Sequence, residues 1–289
     1  MTRHKVSASL FRKRLAERAR EIQESARRLA VVTQPTPGEL HKLHNELRRL
    51  RREYSVWSSL LSPTLQGKAK QYDQRLRHLA RVVGDVRDRD VGLRLLTPPP
   101  HLPRRADLIE SLGPLRQWLS REGRVGREYL QSQLQIELDR GTFDAVRTDT
   151  LRPLSSRQLS RFRRVVVEEI RAHRRRHRKA HRRAIRKPST RRLHEFRRIL
   201  RASRYLHDSL HRESDEARDE VPKAVRALQD SLGTLHDMDV MLQWLAHAPP
   251  SAGRKKWERQ VRKERRQLRD STLERMRRRK VRTPWLPPE

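Results

Sequence analysis

The chain has no cysteine. Disulfide scaffolds, thiolate metal sites and cysteine nucleophiles are therefore excluded, and the redox compartment is left open. Aromatic residues make up only 4% of the 289 positions and hydrophobic ones 34%. No uninterrupted apolar run approaches the roughly 18–20 residues that span a bilayer, so no membrane crossing and no membrane partner are expected. The N-terminal stretch MTRHKVSASLFRKRLAERARE carries basic residues but no apolar segment of the kind a secretory signal needs, which makes the cytoplasm the expected location. Acidic residues are scarce relative to basic ones: 35 Asp and Glu face 70 Lys and Arg, a formal charge of +35 before any of the 13 histidines is protonated. At that charge the compact state repels itself until a polyanion neutralises it, so the sign of the partner's charge follows from composition alone.

Low hydrophobicity with high charge is also the mark of disorder, but the pattern of the apolar residues argues for folding. From about Glu39 to Leu61 the residues Leu40, Leu43, Leu47, Leu50, Tyr54, Trp57 and Leu61 alternate at spacings of three and four, the seam of a helical bundle. A helix over about 6–32 precedes it, and a long one follows Ser62-Pro63, a natural helix start. Residues 104–151 read as further helix, interrupted near Gly123 and Gly126 and again at Gly141. Beyond a hinge at 148–156 the spacing predicts helices over about 156–186, 190–211, 215–247 and 251–281. The expectation is an all-α protein in two antiparallel helical bundles, 1–152 and 153–289, related by internal duplication and a pseudo-twofold axis. Val83–Leu96 set against Leu232–Leu245 gives six identities in fourteen, among them Gly84/Gly233, Asp88/Asp237 and Asp90/Asp239. A Leu-His pair opening a basic helix precedes each copy, 49 and 45 residues before the second Asp.

On the first of these helices His41, His44, Arg48 and Arg51 each follow a seam leucine. On the second, His194, Arg197, Arg201 and Arg204 follow Leu193, Phe196, Leu200 and Ser203 at the same spacing. Each row borders the apolar stripe, where neighbouring helices shield it and a charge needs a partner. Planar guanidinium forks and imidazole donors at about 5–6 Å intervals suit a linear anion, and protonated histidines are expected to strengthen binding below about pH 6.5. Arg49, Arg52 and Arg198 flank the rows as further candidates. Asp88 and Asp90, like Asp237 and Asp239, sit two apart on helices and point about 200° away from each other, so they make no compact metal pair. The expected role of these carboxylates is supporting: one Asp of each copy orients a His or Arg of the row or caps a neighbouring backbone. Gly84 and Gly233, costing about 1 kcal/mol each in mid-helix, predict close helix contact.

The helix Arg157–Lys187 holds 14 Lys and Arg in 31 residues, with His173, His177 and His181 spaced by four. A ring of Arg opposes a divalent cation there, and a polyanion-facing surface is expected. Catalytic signatures are missing: there is no P-loop, no nucleophile elbow, no dinucleotide fingerprint and no H-E-x-x-H. The expectation is no enzyme, no cofactor and no bound metal. Rival readings are a non-specific nucleic-acid binder, weakened by the lack of aromatic stacking platforms, and a metal-dependent polyphosphate or triphosphate hydrolase.

The pattern L-H-x-x-[R/H]-x-x-x-R opening a helix in each half, followed by [V/L]-G-x-x-x-D-x-D-V-x-L, resembles the CHAD family, the conserved histidine α-helical domains, over nearly the whole chain. The second half is the closer match, through LHEFRRILRASRY; in the first, His44 stands where the family usually has Arg. The resemblance implies paired helical bundles around a basic cavity that binds inorganic polyphosphate, in a stand-alone protein associated with polyphosphate granules; monomer and homodimer are both left open by the sequence. Carried over by position, the ligand-binding residues would be His41, Arg48, Arg49 and Arg51 in one half and His194, Arg197, Arg201 and Arg204 in the other, with His44 alongside.

Overall fold

A computed structural model describes residues 7–96, 112–211, 222–248, 250 and 253–278 of the chain. Among these residues every element is helical: α1 (Ala8–Val31), α2 (Pro37–Ser58), α3 (Pro63–Leu95), α4 (Gly113–Asp139), α5 (Thr142–Leu151), α6 (Ser156–Arg186), α7 (Thr190–His211), α8 (Lys223–His247) and α9 (Arg254–Arg277). None of them is long and apolar enough to cross a membrane. Local chemistry sets several of the starts. Thr36 and Glu39 close a capping box in front of α2, with Pro37 in its first turn, and Ser155 and Gln158 do the same for α6, each satisfying two otherwise orphaned backbone donors. Gly141, at φ +60°, supplies the left-handed turn between α4 and α5.

The expected interruption near Gly123 and Gly126 is not there. α4 runs unbroken through both glycines, because packing, rather than propensity, holds a helix of this length. A Cβ on Gly126 would stand 3.4 Å from Val86 of α3, so the residue serves the approach of two helices. The expected helical stretches at 104–111 and 215–221 lie outside the described residues, as does the end of the last expected helix beyond 278.

A hydrophobic fraction of 34% suffices because it is concentrated. The apolar seam of α2, Leu40 through Trp57, is buried in full, as is Leu61 just past the end of the helix. The seam centres the first core, to which α1, α3, α4 and α5 contribute along with Phe162, Val166 and Ile170 from the first half of α6. Farther along the same helix, Ala180 and Ala184 join α7, α8 and α9 in a second core around Phe196, Leu200, Leu228 and Leu232. A third cluster ties the end of α3 and the start of α4 to Met241 and Leu245 of α8 and Val261 of α9. There α3 crosses α8 so closely that a Cβ on Gly92 would fall 2.0 Å from the Trp244 ring.

The histidines of α6 are on its inner face. His173, His177 and His181 are all buried. His177 lies against Phe196 at 5.3 Å between ring centroids, and His181 Nε2 donates to the Met276 carbonyl at 2.8 Å. Only the opposite, arginine-bearing face meets solvent. The spacing of four puts the three imidazoles in register with Phe162, Val166 and Ile170, which is why they share the core.

Candidate functional site

Four helices meet around a pocket of about 220 Å³, walled by His41 and Asn45 of α2, Arg87 of α3, Arg197, Leu200, Arg201, Arg204 and Tyr205 of α7, and Gln229 and Asp230 of α8. Residues from both basic rows thus converge on one concavity. In its wall four guanidiniums face one carboxylate.

Some of the residues that align between the two segments make matching contacts. Arg87 Nε donates to His41 Nδ1 at 3.2 Å, and at the equivalent place His236 Nδ1 lies 3.2 Å from His194 Nε2. Asp90 accepts from Arg127 of α4 at 3.0 Å. Its counterpart Asp239 accepts from Arg265 of α9 and holds His194 Nε2 at 3.1 Å. Arg265 also donates to Thr190 Oγ1 at the start of α7, so one carboxylate fixes the entry to the second basic helix. Asp88 pairs with Arg87 at 3.4 Å. Asp88 and Asp237 sit near each other, and burial raises the pKa of both, a rise that Arg87 and Arg197 oppose.

Burial and crowded positive charge set the electrostatics, offset in part at Arg197 by Asp237 and Asp88. Burial, together with Arg48 and Arg87, pushes Arg197 down to about 10. Burial with Arg197, Arg48 and Arg87 pushes Arg201 down to about 9. Arg48 is lowered too, by burial and by Arg51 and Arg87. These groups stay charged at neutral pH, but at a cost that an incoming anion relieves. The Nε atoms of Arg197 and Arg204 are buried without a hydrogen-bond partner.

The histidines are pushed the other way from the sequence expectation. Burial and the surrounding Arg87, Arg201, Arg204 and Arg94 lower His41. His236 falls to about 3, through burial and Arg197. His44 falls to about 2 through burial and Arg48. It is only 8% exposed, and its ring lies 3.0 Å from where a Cβ of Gly84 would be. In the protein by itself the neutral imidazole is therefore favoured at both His41 and His44, and His41 Nδ1 serves as the acceptor for Arg87.

Other candidates are drawn elsewhere. Arg49 pairs with Glu46 and Asp208 at 3.1 and 3.3 Å and lies over the Tyr205 ring. Arg51 grips Asp73 of α3 through two nitrogens, at 2.9 and 3.2 Å. Arg52 meets Glu169 and His173 of α6. Arg198 is exposed on α7. Conversely, Arg87 and His236, Asn45, Tyr205 and Gln229 belong to the site or its border and were not singled out by pattern. For Arg87 and His236 a signal existed: both precede the first Asp of the duplicated segment. Asn45 and Tyr205, joined at 3.2 Å by a hydrogen bond from the tyrosine hydroxyl, carry no periodic mark. Among the described residues no group of three His, Asp or Glu is placed to hold a metal ion.

Comparison with known proteins fits this architecture. No curated protein sequence matches the chain. A crystal structure of the CHAD domain from the plant Ricinus communis superposes with a TM-score of 0.59 at 19% identity, covering 94% of this chain and 88% of that one. The CHAD domain model matches residues 13–246. On that match, the chain belongs to the CHAD domain family.

Proposed function

We propose that the protein binds inorganic polyphosphate in the pocket between α2, α3, α7 and α8, without turning it over, and that it does so in the cytoplasm on polyphosphate granules. The observation that carries this reading is the depressed guanidinium pair, Arg197 and Arg201. Cations crowded and desolvated to that degree gain more from a multivalent anion than solvated ones do. The corresponding contacts of His41 with Arg87 and of His194 with His236 support two copies related by a pseudo-twofold axis, each supplying one side of the site. A pocket of about 220 Å³ admits a short run of phosphates. It does not admit a nucleic-acid duplex, whose major groove alone is about 12 Å wide.

Calorimetric titration with a short oligophosphate tests the proposal against the double variant Arg197→Gln/Arg201→Gln. At about 200 mM salt, tight one-to-one binding by the wild type and loss of at least tenfold in the variant are expected. Displacement of the oligophosphate from the pocket by duplex DNA at equal phosphate concentration would sink the reading in favour of nucleic acid. Phosphate release in the presence of Mg²⁺ or Mn²⁺ would replace it with hydrolysis.

A further inference from the structure

We propose that the outer face of α6 is a second, independent binding track for linear polyphosphate, so that one protein molecule bridges two polymer strands. This rests on the proposed function for the identity of the polymer, but on a different surface. From Arg157 to Arg186, steps of three and four residues reach nine positions, eight of them Arg and one Glu168, and all nine are exposed. The row is about 44 Å long at 1.5 Å per residue. It lies diametrically opposite Phe162, Val166, Ile170, His173 and His177, which are buried. Because the buried face is the one that meets α2 through Arg52 and α7 through Phe196, the arginine row points away from the helices that wall the pocket.

Charge complementarity selects the partner. Guanidiniums roughly 6 Å apart along a straight line match a flexible chain bearing a charge on every unit, which can lie along the whole row. A duplex cannot do so, since each strand winds around its axis once in about 34 Å and leaves a straight row within part of a turn. Single-stranded nucleic acid draws much of its affinity from stacking on aromatic rings, and the aromatic residue of α6, Phe162, is in the core.

Salt separates the two sites. With about eight phosphates neutralised, and the slope known for single-stranded polyanions, affinity for the row falls roughly 10³-fold between 50 and 200 mM salt. The pocket, with about half as many cations, loses on the order of 50-fold. The test uses the full chain, an outer-face variant (R161Q/R164Q/R175Q/R178Q/R182Q) and the pocket variant R197Q/R201Q. Expected at 50 mM salt are two short oligophosphates per wild-type molecule, falling to one at 200 mM, and light-scattering assemblies with long-chain polyphosphate. The outer-face variant should bind one, keep the salt-resistant site as proof that it is folded, and lose at least tenfold in scattering. The pocket variant should keep the salt-sensitive site. Wild-type stoichiometry of one at low salt, or undiminished scattering by the outer-face variant, overturns the second track. So does displacement of polyphosphate from the pocket variant by duplex DNA at equal phosphate. A pocket variant that binds with wild-type stoichiometry and salt dependence overturns the pocket reading instead and leaves the track standing.

Discussion

Replacing Arg201 by Gln should move stability and binding in opposite directions. The Arg201 guanidinium is pushed down to about 9 by burial and by the charges of Arg197, Arg48 and Arg87. A basic group whose folded pKa lies below its unfolded one weakens the folded state at every pH below the folded value, because the unfolded chain carries the same proton without repulsion. Neutral Gln at this position removes the penalty. Each tenfold loss of proton affinity corresponds to about 1.4 kcal/mol; partial solvent screening and lost packing of the aliphatic stem leave a net gain of about 1–3 kcal/mol. In a chain of this size that raises the ligand-free melting temperature by roughly 2–6 °C. The same substitution deletes a charge-assisted hydrogen bond to phosphate, about 1.5–3 kcal/mol, so the Kd for a short oligophosphate should rise roughly 10- to 100-fold. Differential scanning fluorimetry without ligand and calorimetry with it, on one preparation, read both effects. A variant that melts lower than wild type, or that binds as tightly, refutes the reasoning: the first result marks a structural arginine and the second a solvated one.

Three other perturbations separate residues that the sequence makes look alike. Gly233→Ala, with nothing within 4 Å of the added Cβ, should gain up to about 1 kcal/mol of helix propensity. Gly84→Ala, 3.0 Å from the His44 ring, should lose about 1–3 kcal/mol, and urea midpoints that move the same way in both would contradict the close-approach argument. His177 falls to about 4 through burial and the neighbouring His181 and Arg178, below its unfolded value. Its contribution is therefore intact above pH 6.5 and lost as pH drops through 6.5 toward 4, about 2 kcal/mol by pH 5. Urea titrations at pH 7.5 and 5 measure this, and His177→Phe, beside Phe196, should flatten the acid limb. Asp239→Ala strands Arg265 and His194 and should lose about 3 kcal/mol on unfolding, whereas Asp237→Asn removes a carboxylate from beside Arg197 and should tighten oligophosphate binding by about 1 kcal/mol, roughly fivefold.

Where one helix's own pattern decides the outcome, the structure was legible in the sequence. The α2 seam is buried residue for residue because a three-four alternation leaves a single way to hide its six apolar side chains. The starts at Ser62-Pro63 and the stop at Gly141 are fixed by backbone chemistry that needs no partner. Elsewhere the deciding group lay on another helix. Spacing places Arg48, Arg49, Arg51 and Arg52 around the edge of one apolar stripe, but whether each reaches the pocket depends on where Asp208, Asp73 and Glu169 fall on α7, α3 and α6. Nothing in the local sequence of α2 encodes that. The buried histidines of α6 are a different case: an imidazole is polar enough to read as surface, yet the helix's own register with Phe162 and Ile170 assigns it to the core.

The two segments that align in sequence, Val83–Leu96 and Leu232–Leu245, differ at the pocket in a way that keeps its charge. His44 on α2 corresponds to Arg197 on α7, and Arg87 on α3 corresponds to His236 on α8. Each half therefore carries one Arg and one His at this level, on opposite members of its helix pair. The imidazole is the partner driven neutral in both halves, to about 2 at His44 and about 3 at His236. In both halves it is the guanidinium that lines the pocket. Two arginines at both positions of one half would add a further cation to a site where guanidinium groups already sit below their ordinary range. Two histidines would leave that half without a permanent charge at this level. Gly84 follows from the same exchange: the ring of His44 occupies the space a Cβ there would need, while Gly233, facing no such ring, has open space around it. His44, which stands where the other half has Arg197, is thus matched by Arg87 on the adjacent helix; at this level each half gives the pocket one guanidinium, to which α7 adds Arg201 and Arg204.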